Sequence, residues 1–236
     1  MSSVIVRLLG VTIADAVLPL WIIMTLILLR GEAGLIKAGA FVAGAMTVRA
    51  LQFVLFSRVF GAIVSAEGKD VFELIPFTLL LLTGILLLIT AVKMWWWHTE
   101  DDPDAPPPKW MTALDRVSAL RAFGMGAVMM AVALKHWVFT LSAIAIIDEG
   151  NLSRIGSVLA YVFFVIGAHS LMLAPIISRA VAPAHSAKMV ETMLGWLERN
   201  KRAITIVVSL AFGAWFIWRG MRGYVVHGET AKTPAI

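Results

Sequence analysis

Seven residues carry chemistry inside stretches that otherwise read as hydrocarbon: Asp15, Pro19, Arg49, Gln52, Lys135, His136 and His169. Lys135 and His136 sit side by side near the middle of the run from Phe123 to Ile147, which is long enough to cross a bilayer. A cation at that depth costs about 2.5–3.5 kcal/mol on insertion scales, so it is expected to face a partner or a watery cavity. Lys135 can bind an anionic group and Asp15 can balance it, while the imidazoles of His136 and His169 can carry protons near neutral pH. Arg49 and Gln52 stand three residues apart and share a helix face. Pro19 has no N–H and frees a carbonyl one turn earlier, close to Asp15. Two readings are open. One is a polar site or proton relay, with Lys135 and Asp15 looking into a shared hollow. The other is interhelix pairing, with Asp15 joined to Lys135 or to Arg49.

The elements that must position these residues are apolar and long. The chain has 236 residues, 60% of them hydrophobic and 15% charged, with a mean hydropathy of +0.87. A soluble domain of this size cannot hide that much apolar surface, so the expectation is an all-α integral membrane protein. Six spans are predicted: Leu8–Leu29, Leu35–Phe60, Phe72–Trp97, Phe123–Ile147, Leu152–Ile177 and Ala203–Tyr224. The first would extend about 33 Å as a helix, enough for a hydrocarbon core of about 30 Å. It is too long for the apolar part of a signal peptide, and no small-residue cleavage site follows it, so it is read as a retained helix. Lys93 with Trp95, Trp96 and Trp97 closes the third span as an interfacial belt.

Between the third and fourth spans lies an acidic, proline-rich linker, residues 98–121. Trp110, Leu114, Val117 and Leu120 recur in it at helical spacing, which predicts a short helix on the membrane surface. A second surface stretch, Pro183 to Arg202, is expected to be a helical loop, and a polar tail follows from Val225. More of the lysines and arginines near span ends fall on the side of the linker than on the other. That places the linker in the cytoplasm and both termini outside.

The two halves echo each other. A shift of 116 places Trp21 on Trp137, Glu32 on Asp148 and Gly34 on Gly150. After that turn a shift of 117 places Lys37 on Arg154, Gly39 on Gly156 and Gln52 on His169. In the last span of each half Gly84 matches Gly213 and Lys93 matches Arg222. The organisation expected is therefore a first three-helix repeat over 1–97, the linker and interfacial helix over 98–121, a second repeat over 122–224 and a tail over 225–236. An odd number of spans per repeat inverts the second copy, and inverted repeats place a site near the midplane where the copies meet.

Several chemistries are not expected. There is no cysteine, which removes disulfides, thiolate metal sites and dithiol relays. The acids and prolines after His98 have no ordered ligand spacing, so no metal and no other cofactor is expected. No Walker loop, dinucleotide fingerprint, GxSxG or HExxH occurs, so an enzyme is not expected. The formal charge of +5 is expected at the membrane faces and is no sign of nucleic acid.

The chain resembles the lysine-exporter (LysE) superfamily of six-span transporters, and within it the GAP-family, sulfolipid-1-addressing (Sap-like) branch. The resemblance rests on the first span with Asp15 and Pro19, the proline-rich linker and Pro108-Lys109-Trp110-Met111-Thr112-Ala113-Leu114-Asp115. Arg121-Ala122-Phe123-Gly124 leading into the fourth span and the ending from Gly213 to Gly220 also carry it. That family often has Asn-Pro-Lys-Asn in the fourth span. Here the place reads Ala133-Leu134-Lys135-His136-Trp137, which keeps the lysine without the helix-breaking Asn-Pro. The resemblance implies an exporter in the bacterial cytoplasmic membrane, moving a small polar solute or a lipid-linked product. The other reading is an accessory subunit that scaffolds an envelope lipid complex. Expected partners are the bilayer, a lipid or small-solute substrate, and either further copies of the chain or an envelope-complex subunit.

Overall fold

The computed structural model describes residues 2–67, 69–96, 114 and 117–230. Nine α-helices form among them: α1 Ser2–Ala16, α2 Pro19–Arg30, α3 Gly34–Glu67, α4 Lys69–Trp96, α5 Ala119–Val132, α6 Leu134–Glu149, α7 Arg154–Ala168, α8 Ser170–Val181 and α9 Pro183–Thr230. Three of these, α3, α4 and α9, contain stretches long and apolar enough to cross a membrane. The number rises to six if each of three bent pairs counts as one span. The pairs are α1/α2, bent by 60°, α5/α6, bent by 73°, and α7/α8, bent by 70°. The stretches read from the sequence as the first, fourth and fifth spans are each two helices meeting at a joint.

Each joint has a local cause. Pro19 opens α2 and cannot supply an N–H to the turn before it, and it drives Leu18 into an extended conformation (φ −93°, ψ 106°). The second joint is Ala133 (φ −80°, ψ 89°), where neither proline nor glycine stands. There the indole Nε1 of Trp137 donates to the Ala131 carbonyl at 2.7 Å. Kinks form where a side chain takes over a carbonyl of the backbone ladder. The third joint is His169, whose ring Nδ1 and backbone N–H both converge on the Val165 carbonyl, at 2.8 and 3.1 Å.

Two further boundaries differ from the sequence reading. The expected surface loop at 183–202 and the sixth span at 203–224 form one 48-residue helix, α9. Nothing in that stretch breaks a helix, since its prolines lie at and before the start. Ser118 caps α5 by accepting from the Arg121 N–H, so residues 119–121 belong to that helix. The acidic linker and most of the expected interfacial helix lie outside the described residues.

Packing is close where glycines face backbone. A Cβ on Gly84 of α4 would meet the Gly213 carbonyl of α9 at 2.8 Å, and one on Gly213 would meet the Gly84 carbonyl at 3.1 Å. Small residues let helices approach in this way. Two apolar clusters form the interior. One holds Leu8, Val11, Leu87, Phe139, Phe164 and Phe216; the other holds Leu26, Phe41, Ala122, Met130 and Leu194. Leu18, at the first joint, packs against both.

Candidate functional site

The joints bring polar residues to one place. Asp15 lies in the last turn of α1, just before the first joint, and His136 lies in the first turn of α6, just after the second. Arg49 comes from the unbroken α3. All three are buried, Arg49 to 1% exposure. Asp15 Oδ2 is ion-paired with Arg49 Nη2. Asp15 Oδ1 lies 2.7 Å from His136 Nδ1, which is also 3.1 Å from Arg49 Nη2.

That last contact has a chemical consequence. A guanidinium only donates and an ionised carboxylate only accepts. A protonated Nδ1 can therefore donate to Asp15, whereas a bare Nδ1 can accept from Arg49 or from a protonated Asp15. One nitrogen cannot serve both partners in the same protonation state. The position of a single proton sets which neighbour His136 is tied to.

Aromatic groups wall the cluster. The Trp21 ring meets His136 edge-on, with centroids 4.8 Å apart. Arg49 Cζ stands 5.2 Å from the centre of the Phe164 ring, a cation–π geometry. The Tyr161 hydroxyl donates to the Arg49 carbonyl at 2.8 Å, and its ring stacks on Phe53 at 4.2 Å. His169, at the third joint, is close enough to feel the charges of Arg49, Asp15 and His136.

The cluster is not saturated. Arg49 Nε and Nη1, and both amide atoms of Gln52, are buried and make no hydrogen bond to the described residues. Leaving such groups unpaired costs about 1–3 kcal/mol each. Donors and an acceptor are thus held, buried and unused, on one face of α3.

Of the residues singled out from the sequence, Asp15, Arg49 and His136 touch, Pro19 forms the first joint, Gln52 stands one turn beyond Arg49, and His169 is the third joint. Lys135 is elsewhere. It is half-buried against Thr83, Leu86, Leu87, Val138 and Phe139, between α4 and α6. Of the two partners considered for Asp15, Lys135 and Arg49, the structure pairs it with Arg49 and adds His136, and Lys135 does not share its hollow. Consecutive helical residues point about 100° apart, so only one of Lys135 and His136 can face α1. The joint at Ala133 turns His136 that way. Tyr161 and Phe164 were not read as site residues, although Tyr161, Phe164, Val165 and Ala168 all lie on one buried face of α7 at helical spacing. Among the described residues no group of three or more His, Asp or Glu side chains could hold a metal ion.

Residues 8–222 match the family model described as Sap, sulfolipid-1-addressing protein. No curated protein and no solved structure matches the chain. The match spans most of the sequence, and the chain belongs to that family.

Proposed function

We propose that this Sap-family chain is a membrane exporter of the LysE-superfamily type, carrying a small polar solute or a lipid-linked product outward across the cytoplasmic membrane. The family and the apolar helices together support a lipid-related, multi-pass membrane protein. The observation that carries the exporter reading is the meeting of Asp15, Arg49 and His136 beside helix joints, with unused donors on Arg49 and Gln52. In the proposed mechanism the cluster latches α1, α3 and α6 together. A cargo group reaching the free guanidinium nitrogens of Arg49, or a proton moved between His136 and Asp15, loosens the latch and lets the joints flex. No covalent step is involved, and the proposal gives the chain no enzyme activity and no cofactor.

Packing supports an inverted duplication. If α1 and α2 correspond to α5 and α6, α3 to α7 with α8, and α4 to α9, contacts should recur with the halves exchanged. Several do: α1 packs on α7 as α5 packs on α3, and α2 packs on α9 as α6 packs on α4, whereas the packing of α1 on α6 has no comparable counterpart between α5 and α2. The matched glycines Gly84 and Gly213 meet each other, as residues on a twofold axis would. Three spans per copy, each bent pair counted as one, give the copies opposite orientation and put both termini on one face; the excess of lysine and arginine on the linker side supports reading that face as the outside. Because the chain lacks cysteine, single cysteines report topology directly. Ser3→Cys and Thr233→Cys are expected to react with a membrane-impermeant maleimide in intact cells, and Ala105→Cys only after permeabilisation. The reverse pattern would invert the assignment.

The functional test is profiling of cell-surface and internal lipids and solutes in a strain lacking the gene. Complementation with the wild-type chain is expected to move one species outward, with about tenfold less moved by Asp15→Asn or His136→Gln at equal abundance, a factor equivalent to about 1.4 kcal/mol. Accumulation of that species inside the mutant cells is the mark of an exporter. If it is simply not made, the chain acts as a scaffold and the exporter reading fails.

A further inference from the structure

Lys135 has a different environment from the cluster one residue away. It is the second residue of α6, a helix of 16 residues, so about 20 Å of helix separates it from the Glu149 end. A lysine stem cannot reach an interface that far away. Among the described residues no carboxylate lies within ion-pair distance of it; Asp15 is taken by Arg49 and His136, and Glu149 by Arg7. Its surroundings on α4 and α6 are Thr83, Leu86, Leu87, Val138 and Phe139. The α6 backbone starts here with no side-chain cap, which adds the positive end of a helix dipole to the ammonium. A half-buried cation is therefore held in an apolar seam, with positive potential and no described counter-charge.

Exposed apolar surface borders the seam. Leu86 borders it, and its neighbours on the same side of α4, Leu82 and Ile89, are 45% and 56% exposed. These three lie at helical spacing and form a ridge along a helix long and apolar enough to span a bilayer. The cleft behind Lys135 is too narrow to admit a water molecule, so a ligand can meet the half-buried lysine only at the mouth of the seam.

We propose that the mouth of the α4/α6 seam binds the acidic headgroup of a membrane amphiphile, with Lys135 as its counter-ion and the alkyl chain laid along Leu82, Leu86 and Ile89. The amphiphile enters sideways from the bilayer. This rests on the lipid-related exporter reading for its purpose but not for its test. Charge complementarity selects the headgroup, and the exposed apolar ridge selects a chain-bearing ligand over a free anion.

The test uses the full chain in nanodiscs of zwitterionic lipid, with a diazirine-bearing palmitic acid as probe and its methyl ester as control. The acid is expected to label peptides of α4 and α6 about tenfold more than the ester. Lys135→Gln should reduce acid labelling to the ester level, and Lys135→Arg should keep most of it. Inorganic sulfate should not compete. Equal labelling by acid and ester, unchanged labelling in Lys135→Gln, or competition by sulfate would each overturn the proposal. The acid-to-ester ratio on the wild-type chain decides the matter even if Lys135→Gln does not fold. Photolabelling requires no export. Failure of the exporter reading leaves this result standing, and failure here leaves the Asp15 and His136 assays intact.

Discussion

Arg49→Met alone is expected to destabilise the folded chain by about 3–5 kcal/mol, because it leaves Asp15 as a buried charge without its guanidinium. Arg49 is 1% exposed and Asp15 3%, so water cannot make good the loss. The double variant Asp15→Leu/Arg49→Met removes both charges together. Replacing a buried ion pair by apolar residues of similar volume is often neutral or stabilising, so the double variant should recover most of what the single one loses. The remaining deficit should be about 1–3 kcal/mol, the cost of leaving His136 Nδ1 without the carboxylate it now meets. Denaturation midpoints in detergent would measure both, and the pair together with Asp15→Leu completes a double-mutant cycle. Export should stay lost in the double variant. A stable double variant that exports normally would show the cluster to be structural glue and would remove the basis of the proposed mechanism. A double variant as damaged as the sum of the singles would show that the pair is not the coupled unit its geometry indicates.

The sequence revealed the composition of this cluster better than its pairing. Acid, base and imidazole inside apolar runs stand out because hydrocarbon tolerates them poorly, and Arg49 with Gln52 at a three-residue spacing already implied one face of α3. Whether Lys135 or His136 meets Asp15 depends on how α6 is rotated, which is set at Ala133. That joint has no local signature. Proline marks the first joint, but the second relies on the Trp137 indole bonding to Ala131, a contact that periodicity does not encode. His169 was visible as a polar residue and not as a break, because periodicity does not tell whether a ring will bond to the carbonyl one turn earlier. The match of Gly84 with Gly213 between the two halves was legible in the sequence, but only the structure shows that these glycines touch.

Gln52 separates structure from function most cleanly. Both its amide atoms are buried without partners among the described residues, at 4% exposure. Such a side chain costs stability, so Gln52→Leu, which has similar bulk and no polar atoms, is expected to raise stability by about 1–3 kcal/mol. Residues kept at a cost to folding are found where activity uses them. If the amide faces cargo or the water that accompanies it, the same variant should export at least about tenfold less, a factor worth about 1.4 kcal/mol. Thermal midpoint and export measured on one preparation would then move in opposite directions. Gln52→Glu provides the complementary arm. It keeps the acceptor but places a second carboxylate one turn from Arg49, where it should compete with Asp15 for the guanidinium. A gain in stability with unchanged export would place Gln52 outside the path. A loss of stability in Gln52→Leu would mean that the amide has partners in the folded chain, and that the unused face of α3 is narrower than Arg49 and Gln52 together suggest.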